Sequence, residues 1–541
     1  MDYNENLPVN SCENVEEELL LEPKPLFDLT KTDLIFSVVT LCFSIFMGLF
    51  GLFSRFALGY FLATLMLGIS TILYFIKGSK LNATSVLCAL ISFLNGTVFL
   101  FTTNGSVKFF AIITNLLLMF ISLDGLINPI GKRNRDTFRI FISALSSISN
   151  INITVKSLFS KIDGEKKSLG KVLIGLACAI PVLIVVIPLL ISSDDAFEGL
   201  VTKILGNCFT SVLKALVGVI IAIFIISYAF SLKNGRIQKS NDNEFSGIDG
   251  IYLASFLSAI SLCYILYLFS QLAYFFSAFK GLLPNGDITY AQYARKGFFE
   301  MCTIAIINLL IVIISLVISK KTNGKPSCII CILTTFISVF TLIIIATSIS
   351  KMVLYINEYG MTVLRLTTSA FMIFLSVVFI TSILRVYINN INIIKTSLIF
   401  AGLITLLLGT VNVNAVCASY NYNAYISNKL DDIDVKAIYE FGEEGIPYII
   451  KLTVSDDHKT AMEARRYLSK MYLYDYFDNM QNAQNFTLKD LKKNQKYSGF
   501  EYFNIPRHKG YKVLYEFIEK NPNFSSYCQD YYNLKAWQHY L

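Results

Sequence analysis

Charge is scarce in this sequence. Asp, Glu, Lys and Arg make up only 16% of its 541 residues, against about a quarter in a soluble chain. The shortage is local, falling between Leu34 and Val411, where apolar runs of 18 or more residues recur between short polar breaks. Each such run is long enough to cross a hydrocarbon core of about 30 Å at 1.5 Å per residue. A soluble core has no use for many helices that are apolar all round.

Histidine is scarce too. His458, His508 and His539 are widely spaced near the C-terminal end, which excludes an H-x-x-x-H metal pair. No G-x-S-x-G, phosphate loop or dinucleotide fingerprint occurs. No metal, cofactor or catalytic residue is expected on these grounds. A basic, aromatic-rich nucleic-acid segment is also lacking. Met1–Glu22 is acidic, without the basic flank and apolar stretch of a cleavable signal, so the first span is expected to act as an uncleaved insertion signal.

What is present is a series of about eleven predicted spans: 34–53, 57–76, 83–102, 106–127, 172–192, 209–231, 250–276, 297–318, 327–350, 363–384 and 394–411. The expected fold is all-α, a polytopic transmembrane bundle with a small, mainly helical soluble domain at 412–541. An acidic N-terminal segment at 1–33 carries nine acidic and two basic residues. Net charge is +8 and the tail from Asn412 is neutral, so the membrane region carries +15. That excess concentrates in alternate loops, above all Gly131–Lys171 with nine basic residues. By the positive-inside rule the N-terminus is then cytoplasmic, and an odd span count puts the tail outside. In the long loop, Phe138, Phe141, Ile142, Leu145 and Ile148 recur at helical spacing. This suits a helix lying in the membrane interface or packed on the cytoplasmic face of the bundle.

Two outer segments draw attention as a ligand site. The first is Ser192–Leu200, with Asp194, Asp195 and Glu198. The second is Leu283–Glu300, with Tyr290, Tyr293, Arg295 and Glu300. Thr289 and Gln292 match a capping box, so a helix is expected from Tyr290 into the membrane. It would carry Glu300 about 7 Å deeper than Arg295. An ionisable residue below the interface is a functional candidate. Structural roles compete: Asp194 or Asp195 as the cap of a short helix before Cys208, and Arg295 as a helix-end anchor. Gln271, Tyr274 and Asn308 are candidates to line the same region, or to join helices to one another. Cys328 and Cys331 form a C-x-x-C inside an apolar run, which favours a packing role. Cys417 and Cys528 would face an oxidising compartment if the tail is outside. In the tail, helices are expected at Ala415–Ile426 and Val435–Phe441, and Glu443–Lys451 looks like one half of a HEAT-type helical pair.

The strings Gln271-Leu-Ala-Tyr-Phe-Phe276 and Tyr290-Ala-x-Tyr-Ala-Arg-x-Gly-Phe-Phe-Glu300 resemble the signature of a bacterial membrane family known only as domain of unknown function 4173, related to the 4153-type family. Ser193-Asp-Asp-Ala-Phe197 and Asn412-x-x-Ala-x-x-x-x-Tyr-Asn421 resemble two further stretches of it, and the likeness covers Val172–Ile449. It implies a multi-pass protein of the bacterial cell membrane and no known activity. The partners expected are the lipid bilayer and an extracytoplasmic ligand or envelope component. Three roles stay open: a non-catalytic binding, sensing or envelope-associated protein; a transporter of a small solute or lipid; and a membrane transferase using a lipid-linked donor.

Overall fold

Hydropathy sets the helices of this chain and short polar residues begin them. The computed structural model describes residues 26–53, 55–76, 82–127, 134–162, 186, 189–190, 193, 195–235, 248–280, 298–319, 326–388, 391–474, 499–521 and 524. Among these no strand forms, and ten helices are long and apolar enough to cross a membrane. They are α1 (Lys31–Phe46, continued as a π-turn through Gly51), α2 (Leu58–Ile76), α3 (Ala83–Phe101), α4 (Gly105–Ile127), α7 (Asp195–Lys233), α8 (Gly250–Lys280), α9 (Phe298–Ile318), α10 (Cys328–Tyr359), α11 (Val363–Tyr387) and α12 (Ile393–Val411). They match ten of the eleven predicted spans, and of the run at 172–192 only residues 186, 189 and 190 are described. The protein is a polytopic all-α bundle.

One boundary differs from expectation. The short helix foreseen before Cys208 is continuous with the next span, giving α7 a length of 39 residues. Gly206 and Asn207 are weak helix formers at that junction, but a single glycine costs only about 1 kcal/mol and does not break the helix.

The two ends of the bundle are tied differently. At one end Asp33, 2% exposed, completes a capping box with Thr30. It also accepts from the Tyr74 hydroxyl at 2.6 Å and pairs with Lys233 at 2.5 Å, fastening α1, α2 and α7. The long loop folds over this end as α5 (Asn134–Ser146) and α6 (Ile151–Ile162). Ile140, Ser143, Ala144 and Ser147 are buried while Ile142, Leu145 and Ile148 are exposed. One face therefore packs on the bundle, and Ile142, Leu145 and Ile148 are left exposed beside it. Lys161 pairs with Asp28 here at 3.5 Å.

Midway to the other end, α1 and α7 cross at glycines. A Cβ on Gly48 would meet the Lys214 carbonyl oxygen at 2.1 Å, and one on Gly218 would meet the Ser44 carbonyl oxygen at 2.3 Å. These are backbone collisions that no rotamer relieves, and small residues permit such close helix approach. Gly218→Ala is therefore expected to destabilise the bundle by about 1–3 kcal/mol. Thermal unfolding in detergent checks this, and an unchanged midpoint would count against the crossing.

The later helices α8–α11 form a second apolar cluster around Leu257, Ile337 and Phe379. Buried Asn308 accepts from the Tyr264 hydroxyl at 2.5 Å and donates to Thr341 at 2.8 Å. Its amide thus joins α8, α9 and α10, the helix-joining role. Helix α12 packs on α3, α4 and α11 and so bridges the two groups.

The tail begins without a linker. Asn412, left-handed at φ 59°, ends α12 and caps α13 (Val413–Ile426). Then follow α14 (Val435–Glu440), α15 (Ile446–Leu452), α16 (His458–Tyr474) and α17 (Ile505–Lys520). The first two match the predicted tail helices. Helices α15 and α16 pack together, and Ile449, Leu452, Ala464 and Leu468 on them are essentially buried in one core. A single apolar core runs from Met47, Tyr60 and Phe99 of the bundle into Val413, Ile438, Ile446 and Leu514 of the tail.

Candidate functional site

Where bundle meets tail, the turn between α1 and α2 is sharp. Arg55 and Phe56 both adopt positive φ, 54° and 46°, a conformation that costs a non-glycine residue about 1–2 kcal/mol. Lys108, in the first turn of α4, is 5% exposed and donates to the Arg55 carbonyl at 2.9 Å. That bond helps hold the turn and uses one of three ammonium donors.

The tail closes over this turn with a set of carboxylate and amide contacts. Glu444, 6% exposed, accepts from the Thr103 amide at 3.1 Å, the Thr103 hydroxyl at 2.6 Å and the Asn412 side chain at 3.1 Å. Burial, with Glu443 beside it, pushes the Glu444 carboxyl above the usual range, against the pull of the Thr103 bonds. Glu443 pairs with Arg507 at 2.8 Å, both side chains almost buried. Asn414 accepts from Asn104 and donates to the Phe441 carbonyl. Asn504 caps α17 and donates to the Phe99 and Thr102 carbonyls, both at 3.0 Å.

Between these contacts lies a cavity of about 620 Å³, bordered by Arg55, Thr103, Lys108, Ile112, Glu443 and Arg507. Its walls come from both bundle and tail. A second space of about 600 Å³ lies between α2, α3, α4 and α7, bordered mainly by apolar residues including Leu67, Met119 and Phe120. Its polar members include Thr64, Ser92 and Asn115, the last two hydrogen-bonded to each other. Ile112 borders both spaces.

None of the ligand-site residues singled out in the sequence is among the described residues that border this site. Asp194, Tyr290, Tyr293 and Arg295 lie outside the described residues, as does the expected helix start at Tyr290. Asp195 and Glu198 fall on the first turns of α7, and their side chains lie outside the description. Glu300 is exposed in the first turn of α9. Gln271 and Tyr274 fall on α8, again without described side chains. Cys417 is fully buried, and burial pushes its thiol up to about 12, so it stays protonated at neutral pH. Cys528, the other tail cysteine, lies outside the described residues. Among the described residues no His, Cys, Asp or Glu group is arranged to hold a metal ion.

The string around Asn412 does acquire roles. Asn412 forms the elbow and holds Glu444. Asn421 accepts from the Met361 amide at 2.6 Å and donates to the Met361 carbonyl at 2.8 Å, pinning the turn between α10 and α11. These residues fix the first tail helix to the bundle.

A family model described as "Domain of unknown function (DUF4153)" matches residues 61–452, most of the chain. The chain belongs to this family. The matched region of this DUF4153 member includes α2–α15, and so Lys108, Ile112, Glu443 and Glu444, but not Arg55 or Arg507. No curated protein and no solved structure matches the chain.

Proposed function

We propose that this DUF4153 protein is a non-catalytic membrane binding or sensing protein, and that its ligand occupies the cavity between bundle and tail. The observation that carries this reading is that one 620 Å³ space, floored by a buried ammonium, has walls from both parts. A ligand there touches the bundle and the tail together, so its occupancy and the docking of the tail are linked. The apolar lining of the deeper space favours a hydrocarbon chain over a hydrated solute, which argues against a small-solute transporter. The narrower 4173-type assignment, and a ligand role for the Asp194–Glu300 segments that suggested it, remain part of the proposal.

The proposed orientation puts the N-terminus in the cytoplasm and the tail outside, in a bacterial cell membrane. It is supported by the charge of Gly131–Lys171 and by the described ends: Lys161 meets Asp28 at the N-terminal end, while Lys214 meets Gly48 nearer the tail. A cysteine placed at Lys436 should react with an impermeant thiol reagent in intact cells.

The binding reading is tested on full-length protein purified in mild detergent, by native mass spectrometry. Wild type should retain a non-covalent adduct that Lys108→Met sheds. Identical adducts on both proteins would overturn the assignment of the site.

A further inference from the structure

We infer that the ligand of this site is an anionic phospholipid drawn from the tail-side leaflet, its phosphate held by Lys108 and Arg55 and one acyl chain lying in the apolar cleft below. This rests on the binding reading above and names its ligand. Three independent observations lead to it.

The two spaces adjoin along one helix. Lys108, Ile112, Asn115 and Met119 are spaced four, three and four residues apart on α4, which places them on one helix face. Lys108 and Ile112 border the outer cavity, and Ile112, Asn115 and Met119 border the inner cleft. A polar floor and an apolar cleft thus follow one another along a single helix, with Ile112 at their junction, the profile of an amphiphile.

The cleft has the length of a leaflet. It follows α4 from Ile112 to Leu123, which at 1.5 Å per residue is about 16 Å. Half of a hydrocarbon core of about 30 Å is about 15 Å. The cleft also reaches lipid laterally, because Leu116 and Ile220 on its border are 51% and 39% exposed. A chain therefore has a sideways route from the bilayer, with no need to pass through water.

The charge at the outer end calls for an anion. The Lys108 ammonium is buried against a neutral carbonyl, and a buried cation is costly unless an anion is near. Glu443 and Glu444 act on Lys108 through space but form no ion pair with it: Glu443 pairs with Arg507, Glu444 accepts from Thr103 and Asn412, and Glu440, on the rim, lies 3.9 Å from Lys436. Arg55 borders the same space and supplies a planar donor set suited to phosphate oxygens. A phosphodiester accepts from both cations, and such charge-assisted bonds are about twice as strong as neutral ones.

The test uses delipidated full-length protein in detergent, with binding read by native mass spectrometry. The probes are phosphatidylglycerol, diacylglycerol of the same chains, and glycerol phosphate. Phosphatidylglycerol should bind at least tenfold more tightly than either of the others. Lys108→Met should weaken it about tenfold or more. Ile112→Trp, which fills the junction of the two spaces, should lose phosphatidylglycerol. Leu116→Trp fills the lipid-side border from a half-exposed position and serves as the second plug should Ile112→Trp fail to fold. Equal binding of phosphatidylglycerol and diacylglycerol, with Lys108→Met silent, overturns the phosphate assignment. Tight glycerol phosphate binding indifferent to both plugs overturns the lipid assignment and leaves the binding reading standing. If no probe binds and wild type carries no Lys108-dependent adduct, both readings fall.

Discussion

Glu444→Ala should release the tail helices from the bundle, and Glu444→Gln should hold them. The alanine variant leaves the Thr103 amide, the Thr103 hydroxyl and the Asn412 side chain without their common acceptor in a site only 6% exposed. Buried donors left unmet cost about 1–3 kcal/mol each before relaxation, and we expect a loss of about 2–4 kcal/mol in docking. Glutamine keeps a carbonyl oxygen for Thr103 N and Asn412, and its amide donates to the Thr103 hydroxyl, which accepts equally well. Hydrogen exchange across 413–452 and 505–520 reads the difference. Equal protection in wild type and Glu444→Ala would refute the latch.

The same carboxyl predicts a pH dependence with a definite sign. Burial raises its docked pKa above the undocked value, so the docked state binds the proton more tightly. Its stabilising contribution is full below the ordinary glutamate range, about pH 4.3, and is lost as pH rises through the raised, docked pKa. Docking of the wild-type tail should therefore tighten as pH falls from 7 toward 5. The Glu444→Gln variant should lack that part of the response.

Arg507→Ala should be the most costly substitution in the tail. Its guanidinium pairs with Glu443 at 2.8 Å and donates to the Tyr502 carbonyl at 3.1 Å, with both partner side chains nearly buried. Truncating one partner strands the other, and breaking a buried pair in this way costs about 3–5 kcal/mol. Replacing both, as Arg507→Met with Glu443→Leu, should recover much of that loss, because the pair repays only part of its desolvation. A double-mutant cycle on thermal unfolding measures the coupling. Additive single effects would show that the pair contributes nothing beyond its separate contacts.

The spans were legible because membrane insertion imposes one dominant requirement, about 20 apolar residues in a row. Hence Ala83–Phe101 and Val363–Tyr387 lie within a few residues of expectation. The tail helices Val413–Ile426 and Val435–Glu440 were legible from their caps and apolar spacing. The junction site was not legible. Arg55, Lys108, Glu443 and Arg507 are spread over more than 450 positions, and each taken alone looks like an ordinary charge near a helix end. Nothing local in Gly105-Ser-Val-Lys-Phe-Phe110 says that the tail will bury that lysine. The sequence pointed instead to charge-dense strings, and four of those seven side chains belong to residues outside the described structure. The Asn412–Asn421 string carried real information, but its message was docking geometry, visible only once Met361 and Glu444 were seen beside it.

The cap of α17 also bears on how the protein is made. Asn504 donates to Phe99 and Thr102, 405 and 402 positions earlier in the chain. Ribosomes add about 5–20 residues per second, so the loop closing α3 waits roughly 20–80 seconds of synthesis for its partner. During that interval the outer end of the first four helices is an unfinished surface, with the Phe99 and Thr102 carbonyls, the floor of the cavity and the Thr103 donors all uncovered. The first spans must persist in this incomplete form while every later span is inserted. Nascent chains stopped before Asn504 should accordingly be the species most dependent on membrane chaperones and most vulnerable to proteases at the 101–105 loop.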